Sequence, residues 1–145
     1  MNLVFDEQMD AEAAGKALAD WVGGLGYRVK SLTAMDRFSV RSRFNYTVTM
    51  AGTPEMRRIV FIAVFGGSPN HRDPDERVRF ANLINMQYNV CKAAFDEEGS
   101  LYLEYVLHVE RELSPSFWTT FLLKADDAIS WLNQKHKAEF DEMIG

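Results

Sequence analysis

The side chains of this chain best equipped for chemistry are His71, His108, His136, Cys91 and a scatter of carboxylates. Each histidine is a candidate general base, because an imidazole titrates near neutrality. A nucleophile or a metal-ligand spacing beside one of them would define a site, and the sequence places neither there. Glu104, His108 and Glu110 share one face of a predicted strand. Alternate strand residues stand about 7 Å apart, too far for the whole row to close on one small ion. The lone cysteine excludes an intrachain disulfide framework and a multi-cysteine zinc site. Gly23-Gly24-Leu25-Gly26 has the glycine density of a phosphate loop. Such a loop precedes a helix, so that its amides point at the anion; these glycines follow one and read as its cap. His71-Arg72-Asp73 echoes the kinase catalytic-loop triplet but lacks its downstream asparagine. Asp73 reads better as an N-cap, with Pro74 the first helical residue and Glu76 the third. The acidic turn Asp96-Glu97-Glu98-Gly99 is too short for a calcium loop. No catalytic, cofactor-binding or metal-binding residue is assigned.

Composition bounds the function classes. Sixteen basic against twenty-one acidic residues leave a net charge of −5, which disfavours broad phosphate neutralisation. A nucleic-acid regulator would need a basic face built from residues such as Arg37, Arg41, Arg43, Arg57 and Arg58. The N-terminus is acidic where a secretory signal is basic. No segment approaches the roughly 20 apolar residues that span a bilayer. These features predict a soluble, cytoplasmic protein without membrane contact.

The elements that must position these residues follow from periodicity. Ala14, Ala17, Leu18, Trp21, Val22 and Leu25 share an arc of a helix over 10–23. A short strand over 27–33 precedes a long one over 37–50, in which Phe38, Val40, Ser42, Phe44, Tyr46, Val48 and Met50 face one way. Arg41 and Arg43 lie on its opposite face, where they either solvate the sheet or meet an acidic partner. The strand over 57–65 is apolar on both faces, which predicts a central strand with a second cover, from this chain or another subunit. A helix over 74–90 carries two apolar stripes, Phe80, Ala81, Ile84 and Tyr88 against Leu83, Met86 and Val90. Asn82, Asn85 and Asn89 cluster within about 60° between them. They either bond neighbouring backbone, line a wet helix edge or hold a ligand. Two stripes predict cover on two sides, hence a homodimer or partner surface at Leu83, Met86 and Val90. Strands over 91–95 and 100–110 flank the acidic turn. Ser114 and Pro115 open a last helix whose core stripe runs from Phe117 through Trp118, Phe121, Leu122, Ala125, Ala128 and Ile129 to Leu132. Leu123 and Trp131 fall outside that stripe. The result is one α+β domain over 1–145, ordered helix, three strands, helix, two strands, helix, with a mainly antiparallel sheet and a charged tail that frays after about 135.

Ala81-Asn82-x-x-Asn85, Lys92-Ala93, Asp96, Gly99 and Leu101-x-Leu103-Glu104 resemble the signature of the YbjN-like family, candidate sensory transduction regulators of bacteria. Elsewhere the likeness lies in element order and in Leu25-Gly26-Tyr27. The resemblance implies a fold like that of type III secretion chaperones and a small, acidic, non-enzymatic, dimeric bacterial protein. It makes Asn82, Asn85, Asp96 and Gly99 motif residues with a structural role. The leading expectation is a protein-interaction module, chaperone-like or regulatory, that binds an unidentified protein partner on exposed apolar surface or along a sheet edge. The alternative is a small-ligand binder or an enzyme whose site forms only in space, marked by a deep pocket holding a histidine and a carboxylate.

Overall fold

The computed structural model describes residues 1–31, 37–66, 73–87 and 91–144. Its elements are β1 (Leu3–Val4), α1 (Ala11–Gly24), β2 (Arg28–Ser31), β3 (Arg37–Arg41), β4 (Asn45–Ala51), β5 (Arg57–Phe65), α2 (Pro74–Gln87), β6 (Lys92–Phe95), β7 (Leu101–Val109), β8 (Glu112–Leu113), α3 (Pro115–Lys135) and α4 (Lys137–Ile144). β1 and β8 pair antiparallel. The others form an antiparallel six-stranded sheet in the order β2-β3-β4-β5-β7-β6. The chain forms two compact units, Met1–Phe61 with Val106–Leu123 and Ile62–Tyr105 with Lys124–Gly145.

In the first unit Asp10 caps α1, its Oδ1 accepting from the Ala13 amide at 2.8 Å. The predicted apolar arc supplies the buried Ala14, Leu18 and Val22. Gly26, at φ 100°, turns the chain out of the helix, a conformation that glycine adopts without steric cost. The predicted 14-residue strand is instead a hairpin, β3 and β4, joined through Ser42, Arg43 and Phe44. The reason that periodicity missed the turn is arithmetic. Arg41 faces Asn45, Val40 faces Tyr46 and Phe38 faces Val48, so even residues pair with even ones. The same parity therefore stays buried on both sides of the reversal. The core of this unit gathers on Trp118 of α3, fully buried, with Trp21 and Tyr27 edge-on at 6.3 and 6.5 Å and Phe61 tilted at 5.2 Å. Ser114 caps α3 through Oγ, which accepts from the Phe117 amide at 3.1 Å. Phe117 itself, expected on the core stripe, is 54% exposed.

In the second unit Asp73 caps α2, its Oδ1 accepting from the Asp75 amide at 3.0 Å. Phe80, Ala81 and Ile84 are buried as the first stripe requires. Leu101, Leu103 and Tyr105 face the core from β7, and Phe80 meets Phe95 of β6 at 6.5 Å. The tail expected to fray forms α4, because Phe140 buries its ring on Phe65 at 5.4 Å. β5 lies inside the sheet as expected, yet its second face is incompletely covered, with Val64 49% exposed. His71, Tyr88, Asn89 and Val90 lie outside the described residues.

Candidate functional site

The residues that resemble the YbjN-like signature converge on one junction of α2, β6 and β7. Asn85 projects from α2 onto β6, the last strand of the sheet. Its Nδ2 donates to the Ala93 carbonyl at 3.1 Å, and its Oδ1 accepts from the Ala93 amide at 2.6 Å. A side-chain amide thus occupies the place where another strand's peptide would pair. Asp96 closes the following turn. Its amide donates to the Ser100 carbonyl at 3.1 Å, and its Oδ1 accepts from the Ser100 amide at 2.8 Å. The Ser100 amide holds the Asp96 carboxyl below its ordinary value of 3.8, helped by the Tyr102 hydroxyl. Gly99 sits at φ 85°, buried under α2; a Cβ there would come within 2.6 Å of the Arg77 guanidinium. Lys92 stands opposite Glu104 across β6 and β7. Asn82 is exposed. These bonds run between side chains and main chain of the fold itself.

Beside this junction lies a buried polar group that the sequence reading passed over. The Tyr105 hydroxyl hydrogen-bonds the Cys91 thiol and reaches the Ala125 carbonyl at 3.5 Å. Asp126, 2% exposed, adds its charge nearby. Burial pushes the Cys91 thiol above its ordinary 9.0 and holds the Tyr105 phenol far above its ordinary 10.0. Such a thiol is a poor nucleophile. Asp126 could have been found in sequence, since it falls four residues after Leu122 and three before Ile129 on the buried arc of α3.

The histidines do not assemble a site with these groups. His136 is half-buried, its Nε2 3.2 Å from the Gln87 Oε1 and its ring edge-on to Phe80 at 6.4 Å. His108 is exposed on β7, in an open depression of about 380 Å³ shared with Glu110, Glu112 and Ser114. The Ser114 hydroxyl there is committed to the α3 cap. Among the described residues no three histidine, cysteine or carboxylate side chains gather closely enough to hold a metal. A second open groove, about 730 Å³, runs along Val4–Met9 beside Arg111 and Glu112. Its Glu7–Arg111 ion pair, 3.5 Å long, is exposed at both ends. Among the described residues no helix is long and apolar enough to cross a membrane.

Two surface expectations resolve differently. Arg57, one of the residues that a nucleic-acid face would need, is 2% exposed; its Nη2 donates to the Asp6 and Met9 carbonyls at 2.9 and 2.7 Å, and its guanidinium lies 5.6 Å from the Phe5 ring centroid. It ties the N-terminal segment to β5. On α2 Met86 is 83% exposed, Val78 also lies open, and Leu83 is half-buried.

Element order and sheet define a mixed α+β protein with an antiparallel six-stranded sheet. No family model matches the chain, and no curated protein matches it. Among solved structures it is similar to the crystal structure of YbjN, a candidate transcription regulator from E. coli, with a TM-score of 0.58 and 14% identity. The match covers 88% of this chain and 93% of that one. The chain has a YbjN-like fold.

Proposed function

We propose that this protein is a single-domain, non-enzymatic, regulatory interaction module that docks a protein partner, or a second copy of itself, through the outward stripe of α2. One observation carries the reading: Met86, 83% exposed, stands open to water on the side of α2 opposite the buried Phe80, Ala81 and Ile84. A helix apolar on two sides has one side too many for a chain that covers only the other. A regulatory style also agrees with the fold, although folds host many functions. The setting proposed for this role is the cytoplasm.

The test is a native pull-down of the tagged chain from its source cells with identification of the retained protein, alongside light scattering of the pure chain. The expected result is a stoichiometric partner, or a mass twice 16.6 kDa, lost on Met86→Glu while circular dichroism and the thermal midpoint stay unchanged. A clean monomer with no partner, or an assembly indifferent to Met86→Glu, refutes the α2 docking surface.

A further inference from the structure

The chain segregates its charge, and the hairpin register shows where. Residues 21–54 hold five of the sixteen basic residues and, in Asp36, one of the twenty-one acidic ones; the remainder therefore holds eleven against twenty. The cross-strand pairs of β2, β3 and β4 turn this local excess into a face. Phe38, Val40, Tyr46 and Val48 are buried, so Ser39, Arg41, Asn45 and Thr47 point the other way. Arg28 stands directly opposite Arg41, and Lys30 opposite Ser39. The outward rows read Arg28, Arg41, Asn45 and then Lys30, Ser39, Thr47, every member a hydrogen-bond donor. Arg28, Lys30 and Arg41 are exposed, and among the described residues no carboxylate pairs with them.

Like charges directly opposite in a sheet are destabilising, so the Arg28–Arg41 pair is unfavourable for the isolated chain. An anion laid across the two arginines would reverse that term. We propose that the outer face of β2, β3 and β4 binds the phosphodiester backbone of duplex DNA, without reading its sequence. Nothing apolar lies in the two rows to anchor a peptide side chain, which protein interfaces use at their centre. Nothing aromatic lies there to stack unpaired bases, as single-strand binders require. Among the described residues no helix or ribbon rises from these rows to enter a groove, which leaves phosphate contact. Three strands about 4.8 Å apart make the face roughly 10 Å wide, enough for one phosphate ridge. That is too narrow for the two successive minor grooves by which double-stranded RNA is read. The net charge of −5 made nucleic acid the least favoured partner in sequence; the face escapes that argument because the acidic excess lies outside it. Of the arginines that such a face would need, Arg57 is buried elsewhere, and Arg28 and Lys30 stand in its place.

The experiment titrates a short fluorescein-labelled duplex of arbitrary sequence with the full chain and follows anisotropy between about 50 and about 200 mM salt. Three phosphate contacts predict a slope of log K on log salt near −2.7, roughly a 40-fold loss of affinity over that range. Arg41→Gln, an exposed substitution that relieves the like-charge pair and so leaves the fold intact, weakens binding and lowers the slope by about one. The triple reversal Arg28→Glu, Lys30→Glu, Arg41→Glu removes binding, with circular dichroism confirming the fold. Lys16→Glu on α1, which changes the same net charge by two, leaves the slope unchanged. No binding at the lower salt, or equal losses from Lys16→Glu and Arg41→Gln, overturns the proposal. So does tighter binding of duplex RNA or of a single strand, and so does poly-glutamate binding without DNA binding, which would make the face a dock for an acidic protein segment.

Discussion

Replacing Asn85 by alanine tests whether the α2–β6 clamp contributes to stability or merely decorates a helix edge. The substitution deletes two hydrogen bonds, the 3.1 Å donation to the Ala93 carbonyl and the 2.6 Å acceptance from its amide. Each is worth about 1 kcal/mol net, so the gross loss is about 2 kcal/mol. Alanine returns up to about 0.7 kcal/mol of helix propensity, leaving a destabilisation of about 1 kcal/mol. For a chain of this size that lowers the thermal midpoint by about 3 °C. Urea denaturation measures it as a fall in midpoint at constant slope. Asn85→Asp sharpens the test, because it keeps the shape and the acceptor but removes the donor. A carboxylate then faces the Ala93 carbonyl, so this variant is at least as unstable as Asn85→Ala at neutral pH and recovers in acid, when the protonated carboxyl can donate again. Propensity alone makes Asn85→Ala stabilising. That outcome, or an aspartate variant indistinguishable from the parent, would refute the clamp.

Two further outcomes follow from the same region. Gly99→Ala forces a side chain into a left-handed conformation at φ 85° and onto the Arg77 guanidinium, and lowers stability by about 1–3 kcal/mol in a urea titration; a neutral result would contradict the packing of α2 over the turn. Stability also falls in alkali. Cys91 and Tyr105 both have raised values when folded, so their contributions are fully present below the ordinary 9.0 and 10.0 and are lost as pH rises toward the folded values. Chemical denaturation from pH 8 upward therefore shows a level region, then a decline of up to about 1.4 kcal/mol per pH unit and per group. Cys91→Ala moves the onset of that decline from about the thiol range to the phenol range; an onset unchanged by it would remove the thiol from the account.

The elements legible in sequence were those whose signal is local. The α1 arc, the buried alternation of β7 from Leu101 to Val109 and the Asp73 and Ser114 caps each need only a few neighbouring residues. The β3–β4 reversal was illegible because its even-to-even register continues the alternation. Its turn, Ser42-Arg43-Phe44, also contains no glycine, and no described non-glycine residue adopts positive φ. Two-residue strands such as β1 and β8 have no periodicity to read. Arg57, Asp126 and Phe140 were missed for another reason. An arginine is a surface residue by type and a phenylalanine in a charged tail lacks neighbours that mark a core stripe, and only distant partners bury them: the Asp6 and Met9 carbonyls for Arg57 and the Phe65 ring for Phe140. Asp126 was passed over by type, although its place on the buried arc of α3 was legible. The candidate site fared likewise, since the type of Asn85 was legible but its partner Ala93 was not.

The same geometry discriminates between modes of docking. A six-stranded open sheet has two edge strands, here β2 and β6, and an unprotected edge invites another strand. On β6 the amide and carbonyl of Ala93 are already engaged by Asn85, so a partner strand would have to displace a side chain that makes two bonds. On β2 the backbone edge lies beside Arg28 and Lys30, which repel a second copy of the same strand and admit only an anionic neighbour. Strand addition is thus opposed at each edge by a different device, a covering amide at one and a like-charge barrier at the other. The two surfaces proposed for association differ in kind: the α2 stripe, whose chemistry suits an apolar protein face, and the β2–β4 face, whose chemistry suits phosphate. Met86→Glu and the triple reversal Arg28→Glu, Lys30→Glu, Arg41→Glu therefore separate two kinds of partner: each abolishes one association and leaves the other intact.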